Sequence, residues 1–403
     1  MANVLFLAHR LPYPPNKGDK IHTYQVLKSL AARHRVLLGT FIDDPDDEQH
    51  LPTVRAMCAE LHVSRLNPRT AKFRALQGLA TGAPLTVAFY SDPALRAWVH
   101  DIRDQGRADA LLVYSSSMLQ YADGFKLPMA IDFADVDSAK WADYAKRHRW
   151  PMSWVYRREA RTLLGVEREG AARARWSLFA TDKEAELFAG LAPESAACAG
   201  VLGNGVDADY FKPDAARASP FAAAEIPLVF MGAMDYWPNV DAVTWFAREA
   251  LPQLRQRWPT LRLHIVGRSP APAVTALAGD AVSVTGTVPD VRPYVQHAAV
   301  VVAPLRLARG IQNKVLEAMA MARPVVAASS CVAAMDVRAG EHLLAATDAA
   351  DYVRAVAELL AAPEQAAAIG RAGRERVLQA YGWGARLAGL DGFLGLEPTA
   401  PSL

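Results

Sequence analysis

A chain of 403 residues exceeds what one ordinary core organises, since domains usually hold about 100–200 residues, and its 52% hydrophobic content suffices for two cores. Its 25 glycines and 26 prolines exclude collagen-like and low-complexity classes, and 44 basic against 42 acidic residues argue against a nucleic-acid binder held by bulk charge. Three scattered cysteines, Cys58, Cys198 and Cys331, suit neither a disulfide framework nor a zinc site and point to a reducing cytoplasm.

The opening MANVLFLAHRLPYPP carries a short apolar run without a basic start, which reads as a first strand and not as an export signal. No window approaches the ~18–20 apolar residues of a membrane span. Apolar, β-branched runs then alternate with helical patterns, the mark of parallel α/β architecture. The expected strands of the first half are Val4–Ala8, Arg35–Phe41, His62–Leu66, Ala110–Tyr114, Met129–Phe133 and Trp176–Ala180. Those of the second half are Pro227–Met231, Leu261–Val266, Val282–Thr285, Ala299–Ala303 and Pro324–Ala328. Gly203 to Asp207 and the Ala-, Ser- and Pro-rich stretch up to Pro227 mark the boundary. The expectation is two doubly wound domains, 1–205 and 226–380, facing a central cleft, with 206–225 as linker and 381–403 as a terminal helical stretch. The acidic run Asp43 to Glu48 reads as a solvated loop entering a helix.

Pro304–Met321 is the most informative segment. A buried strand ends in a loop, and Gly310 is expected to open a helix whose apolar face carries Ile311, Val315, Ala318, Met319 and Ala322. Its first turn offers unpaired amides, a positive dipole end and Lys314, together an anion site. One turn on, Glu317 is placed to accept hydrogen bonds from a vicinal diol, as an acidic residue does for ribose in dinucleotide folds. A nucleoside diphosphate needs this pair of features. The alternative is an amphipathic helix with an incidental Lys–Glu pair.

The string GIQNKVLEAMAMARPVVA resembles the donor-binding helix of family 4 of the glycosyltransferases, which has the GT-B fold of two Rossmann-like domains. Asn204-Gly205-Val206-Asp207 with Phe211 and Pro213, then Gly232, Ile265-Val266-Gly267 and Val284–Gly286, fall in the order of that family. HRLPYPPNKGDKIHTY, DFADVDSAKW and GAMDYWPNVDA look like sugar transferases of exopolysaccharide and exosortase-associated (PEP-CTERM) gene clusters. The resemblance implies a terminal helix crossing back to the first domain. It also implies donor contacts at Gly18, Gly232, Gly310, Ile311, Lys314 and Glu317, to which Arg268 is added as a nearby cation. Two departures stand out. Arg309 occupies the place of a glutamate that usually touches the donor sugar, and Ala233 and Asn239 lie where an Arg and a Lys usually grip the diphosphate. Arg309, Lys314 and Arg268 are the residues present that can supply that charge.

In the first half, Gly18 is the glycine retained from the family's phosphate-facing loop, with Asp19 as an alternative N-cap. Asp132, Asp135 and Asp137 follow a strand, and Asp135 is the acceptor-side candidate to receive a hydroxyl proton, the alternative being a helix-capping cluster. Asp135-Val136-Asp137 superficially matches a metal-binding D-x-D, but the implied fold neutralises its leaving group with cations and a helix dipole, so no metal or other cofactor is expected. Between Lys140 and Arg175, ten basic residues stand against four acids, interleaved with Trp141, Tyr144, Trp150, Trp154 and Tyr156. That composition suggests peripheral contact with an anionic membrane at the inner face of the plasma membrane, the alternative being a solvated helix face. The expected activity is transfer of a sugar from a nucleotide donor to a hydroxyl of a glycan or lipid-linked acceptor, with retention implied by the family alone. Arg309, Lys314 and Asp135 are the expected catalytic groups. The rivals are a nucleotide-sugar epimerase of the same fold and a non-catalytic two-domain scaffold.

Overall fold

The computed structural model describes residues 1–15, 17–306 and 311–396. Two compact units emerge, one built from Met1–Gly203 with the stretch that starts at Leu387, the other from Asn204–Arg386. In the first unit, β1 (Asn3–Ala8), β2 (Arg35–Ile42), β3 (Glu60–Arg65), β4 (Ala110–Tyr114), β5 (Met129–Ala134), β6 (Trp176–Phe179) and β7 (Ala199–Val201) form one sheet in the order β3-β2-β1-β4-β5-β6-β7. The second unit orders β8 (Ile226–Met231), β9 (Leu261–Val266), β10 (Val282–Gly286), β11 (Val300–Ala303), β12 (Val325–Ala328) and β13 (Leu344–Ala346) as β10-β9-β8-β11-β12-β13. Every pairing is parallel.

The sequence explains why. Successive strand residues point to opposite faces, and where both faces are covered, as at the inner strands β4, β8, β11 and β12, the runs are apolar throughout rather than alternating. Leu228 and Phe230 of β8 join Val300 and Val302 of β11 in one cluster, while Val229, Met231, Val301 and Ala303 join a second. In the first unit Leu5, Leu7, Leu111, Val113 and Ile131 form the equivalent core.

The expected strands are present with ends moved by a residue or two. The short edge strands β7 and β13, of three residues each, have no counterpart among them, because so brief a run shows no period. The expected linker 206–225 is folded onto the second unit. Val206 pairs with Gly382, and Asp214 and Gln296 exchange two hydrogen bonds through the Asp214 backbone. The terminal stretch is interrupted: the helix Pro363–Ala380 stops at Tyr381, and short turns Trp383–Arg386 and Leu390–Phe393 follow among Gly382, Gly384 and Gly389. From Leu387 the chain belongs to the first unit, where Asp391 meets Arg33 and His34 and Phe393 packs edge-on against Trp176.

Candidate active site

In a parallel sheet the strand order reverses at one place, and loops leaving the strand ends on either side of it diverge to leave room for a ligand. In the second unit that place lies between β8 and β11. Gly232 follows β8 and Gly267 follows β9, with φ of 153° and 155°, a region that side chains rarely adopt. The Gly232 amide donates to Val266 O at 3.0 Å, Met234 N to Arg268 O at 2.9 Å, and Ala271 N to Met234 O at 3.1 Å. A Cβ on Gly267 would lie 1.7 Å from Gly232 O, so the two loops form one platform through backbone contact.

Lys314 stands beside this platform. It is the second residue of the helix Asn313–Ala320, and its Nζ donates to Asn239 Oδ1 at 2.6 Å. The Nζ also lies 4.8 Å from the Phe230 ring centroid and 3.3 Å from where a Cβ of Gly232 would be. Asn239 is itself fixed by donating to Ala233 O at 2.8 Å. Its place in the family pattern suggested lost charge; the geometry gives it the task of aiming a lysine. Glu317 follows Lys314 by three residues, hence on the same helical face. Burial pushes Lys314 down to about 8 although Glu317 pulls it up, and burial pushes Glu317 up to about 7 although Lys314 pulls it down. Burial thus opposes both charges, and groups so perturbed cluster at functional sites.

Three expectations change here. The helix opens at Asn313, because Gln312 is still extended, so Ile311 precedes the helix and packs against the core from the loop, and Ala322 lies beyond its end. Among the described residues no side chain caps this start. Arg268 is half-buried, its backbone carbonyl engaged by Met234, and its guanidinium makes no ion pair or hydrogen bond among the described residues. Arg309 and Gly310 lie outside the described residues.

In the first unit the order reverses between β1 and β4. His9 and Arg10 follow β1, Ser115 follows β4 with a φ of 80°, and Ala134 ends β5 with a φ of 60°. Such backbone in non-glycine residues is strained and is found where a fold serves a site. Tyr114 stacks with the rings of both His9 and His22, at 5.6 and 5.7 Å. Buried His22 Nε2 meets buried Asp132 Oδ2 at 2.7 Å, and Asp132 Oδ1 accepts from Ala134 N. Arg10 donates to Asp19 at 2.6 Å and to Asp43 at 2.7 Å, and His9 lies 3.5 Å from Asp19. Burial alone would raise Asp19, but the hydrogen bonds and charges of His9 and Arg10 outweigh it and hold the carboxyl well below the usual range.

Asp19 is therefore not an N-cap: Lys17 holds that position, and Asp19 in the first turn is spent on Arg10. Gly18 begins the same helix, and an added Cβ would meet nothing within 4 Å, so the fold itself does not require glycine there. The acidic run is not merely solvated, since Asp43, Asp47 and Glu48 pair with Arg10, Lys20 and Arg65. Asp135 is half-exposed and takes Lys140 Nζ at 2.7 Å, with Asp137 at 3.3 Å from the same ammonium. An ammonium therefore already occupies the Asp135 carboxylate. The carboxylate braced by a histidine is Asp132, a partnership sequence reasoning missed. The available signal for His9 and Arg10 was their place directly after β1, at the reversal of strand order.

Comparisons with known proteins bear on the second unit's family and on the fold. Residues 225–362 match the family described as glycosyl transferases group 1. Among solved structures the chain is similar to HepE of Anabaena, crystallised with UDP and glucose, at 17% identity over 98% of this chain and 100% of that one, with a TM-score of 0.68. It is similar to sucrose-phosphate synthase from Thermosynechococcus elongatus at 18% identity, over 97% and 98% of the chains, TM-score 0.70. WaaG, a glycosyltransferase involved in lipopolysaccharide biosynthesis, is similar at 15% identity over 97% and 100%, TM-score 0.67. No curated protein matches the chain. The second unit thus carries a glycosyl transferases group 1 domain, and the pair of parallel-sheet units has the fold of GT-B glycosyltransferases.

Proposed function

We propose that the protein transfers a sugar, with retention, from a nucleoside diphosphate donor to a hydroxyl of a glycan or lipid-linked acceptor, in exopolysaccharide or other cell-surface glycan synthesis in the cytoplasm. The observation that carries this reading is the Lys314–Glu317 pair, set at the strand-order reversal against the Gly232–Gly267 platform. Lys314 holds the diphosphate and stabilises the charge it gathers on departure, while Glu317 accepts from the ribose hydroxyls. Gly232 and Ile311 line the donor, with Gly310 beside them by the family resemblance, and Arg268, whose guanidinium is uncommitted among the described residues, joins Lys314 and Arg309 as the cations for the phosphates. In the first unit, Asp135 or the His22-braced Asp132 serves the acceptor side, and Gly18 lets backbone approach the donor. The resemblance implies no metal and no enzyme nucleophile. Positioning and charge stabilisation then supply the rate enhancement.

A melting-temperature panel with UDP-, GDP- and dTDP-sugars tests the reading, since a ligand that binds only the folded state stabilises it. One donor class should raise the melting temperature of the parent well above that of Glu317→Gln. If no nucleotide sugar shifts it, the donor site is not where we place it.

Acidity gives a second expectation. Glu317, raised to about 7, must be ionised to accept from a diol, and Lys314, lowered to about 8, must be protonated to hold phosphate. Affinity for UDP-glucose, whose diphosphate diester carries no proton to titrate near neutrality, should therefore peak between those values. It should fall on each side towards about tenfold per pH unit, as one-proton linkage requires. Calorimetry across pH 5–10 checks this: Glu317→Gln should flatten the acid flank, and Lys314→Arg should flatten the alkaline flank because arginine stays charged. A pH-independent affinity in the parent would show that neither group touches the ligand.

A further inference from the structure

The basic, aromatic stretch Lys140–Arg175 divides into two parts. One part is structural. Lys140 is held by Asp135 and Asp137, Arg168 pairs with Glu194, and Arg173 pairs with Asp123. Buried Arg158 donates to the carbonyls of Gly78 and Ala83, and the rings of Trp141 and Tyr156 pack 5.3 Å apart. The other part is the turn between the helices Asp137–Arg147 and Met152–Arg173, where every residue from Lys146 to Met152 is exposed. Trp150 is 80% exposed and Trp154 52%, with Tyr144 and Met152 beside them in sequence and also exposed. Residues 144–158 contain no acid. Among the described residues, Arg147, Arg149, Arg157 and Arg161 have no acidic partner.

A second element carries the same signature. The helix Pro68–Thr81 contains no acid, and Arg69, Lys72, Phe73 and Leu76 are all exposed at the i, i+3, i+4, i+7 spacing of one helical face. Phe73 is 63% exposed and Leu76 61%. Arg158, one turn past Trp154, ties the two elements together by bonding Gly78, two residues past Leu76.

Unneutralised cations interspersed with exposed indole, phenyl and aliphatic side chains do not fit an apolar protein groove, which would strand the charges. They complement an anionic bilayer, whose headgroup region accommodates indole rings, whose phosphates pair with arginine, and whose acyl boundary takes aliphatic side chains. Nucleic acid is the poorer match, because Leu76 and Met152 offer bases no stacking surface. No described helix is long and apolar enough to cross a membrane, so the contact would be peripheral. We infer that this face of the first unit docks on anionic phospholipid, with Trp150 and Trp154 at headgroup depth and Arg147 and Arg149 against lipid phosphates. The inference does not depend on the donor site.

Cosedimentation of the full chain with vesicles of phosphatidylcholine, alone or mixed with phosphatidylglycerol, tests it. The chain should pellet with the mixed vesicles, release as salt rises, and remain in solution with phosphatidylcholine alone. At about 1 kcal/mol per cation near the surface, Arg147→Gln and Arg149→Gln should each weaken partitioning roughly fivefold, and roughly thirtyfold together. Trp150→Ser with Trp154→Ser, and separately Phe73→Ser with Leu76→Ser, should also weaken it while leaving melting temperature and UDP-glucose affinity unchanged. Equal partitioning onto both vesicle types, no pelleting at low salt, or full binding by the double arginine variant would overturn the inference. Variants that lose binding to a single-stranded RNA probe yet keep vesicle binding would reassign the face to nucleic acid.

Discussion

A Gly267→Ala variant is expected to lose most of the stability of the second unit. Two costs add at this position. The backbone there has a φ of 155°, which disfavours any side chain, and the new Cβ would be driven to 1.7 Å from the carbonyl oxygen of Gly232. That obstacle is backbone, fixed in turn by the Gly232 amide bond to Val266, so no rotamer change relieves it. Losses of this origin belong to the rare class of about 4 kcal/mol or more. Urea denaturation should show a greatly lowered midpoint with the first unit less affected. Gly279→Ala, where the added atom meets nothing within 4 Å, should stay within about 0.5 kcal/mol of the parent. An unchanged midpoint for Gly267→Ala would mean that the two loops are not in contact.

Lys314→Ala should bring the largest loss of turnover. The ammonium is aimed by Asn239 and lies against the Phe230 ring at the platform edge. In the function proposed above its charge counts most when the diphosphate leaves, so its removal should act on the transition state more than on the bound donor. Loss of one such preorganised group costs on the order of 10²–10³ in kcat. Truncation also leaves Asn239 Oδ1 without its donor, which by itself costs about 1–3 kcal/mol of stability. Lys314→Met keeps the side chain over Phe230 and separates the effects, since it should fold better than the alanine variant yet be equally slow. The readout is nucleoside diphosphate released from the donor that stabilises the parent most, with KM followed in parallel. Two folded variants that turn over at the parental rate would remove Lys314 from the chemistry.

What the sequence disclosed, and what it hid, follows from how far apart the partners lie. The strands were legible because sheets covered on both faces demand continuous apolar runs, and Val300–Ala303 or Ile226–Met231 are such runs. Lys314 and Glu317 were legible because one helix carries both, so spacing alone places them on one face. Asn239 is 75 residues from the lysine it aims, and His22 is 110 residues from Asp132, and no local pattern joins either pair. Asp135 has a nearer partner that its motif also did not show. It shows as a carboxylate after a strand, but the ammonium that occupies it comes from Lys140, five residues on in the following helix. The extra residues of the acidic run were likewise visible as charge and invisible as partners of Arg10, Lys20 and Arg65.

The return of the chain to the first unit after Arg386 has a consequence for the order of assembly during synthesis. Buried Leu387, Leu390 and Leu394 leave the ribosome with Asp391, which bridges Arg33 and His34 from 358 and 357 residues downstream, and with Phe393, which packs on Trp176. The first unit, although made first, waits with the surface these residues meet open to water, while the second unit already has all of its own chain. The part of the protein translated later can therefore finish folding earlier, and the first unit closes only when its last leucines arrive. Until then the nascent chain exposes apolar surface, the kind that holdase chaperones cover.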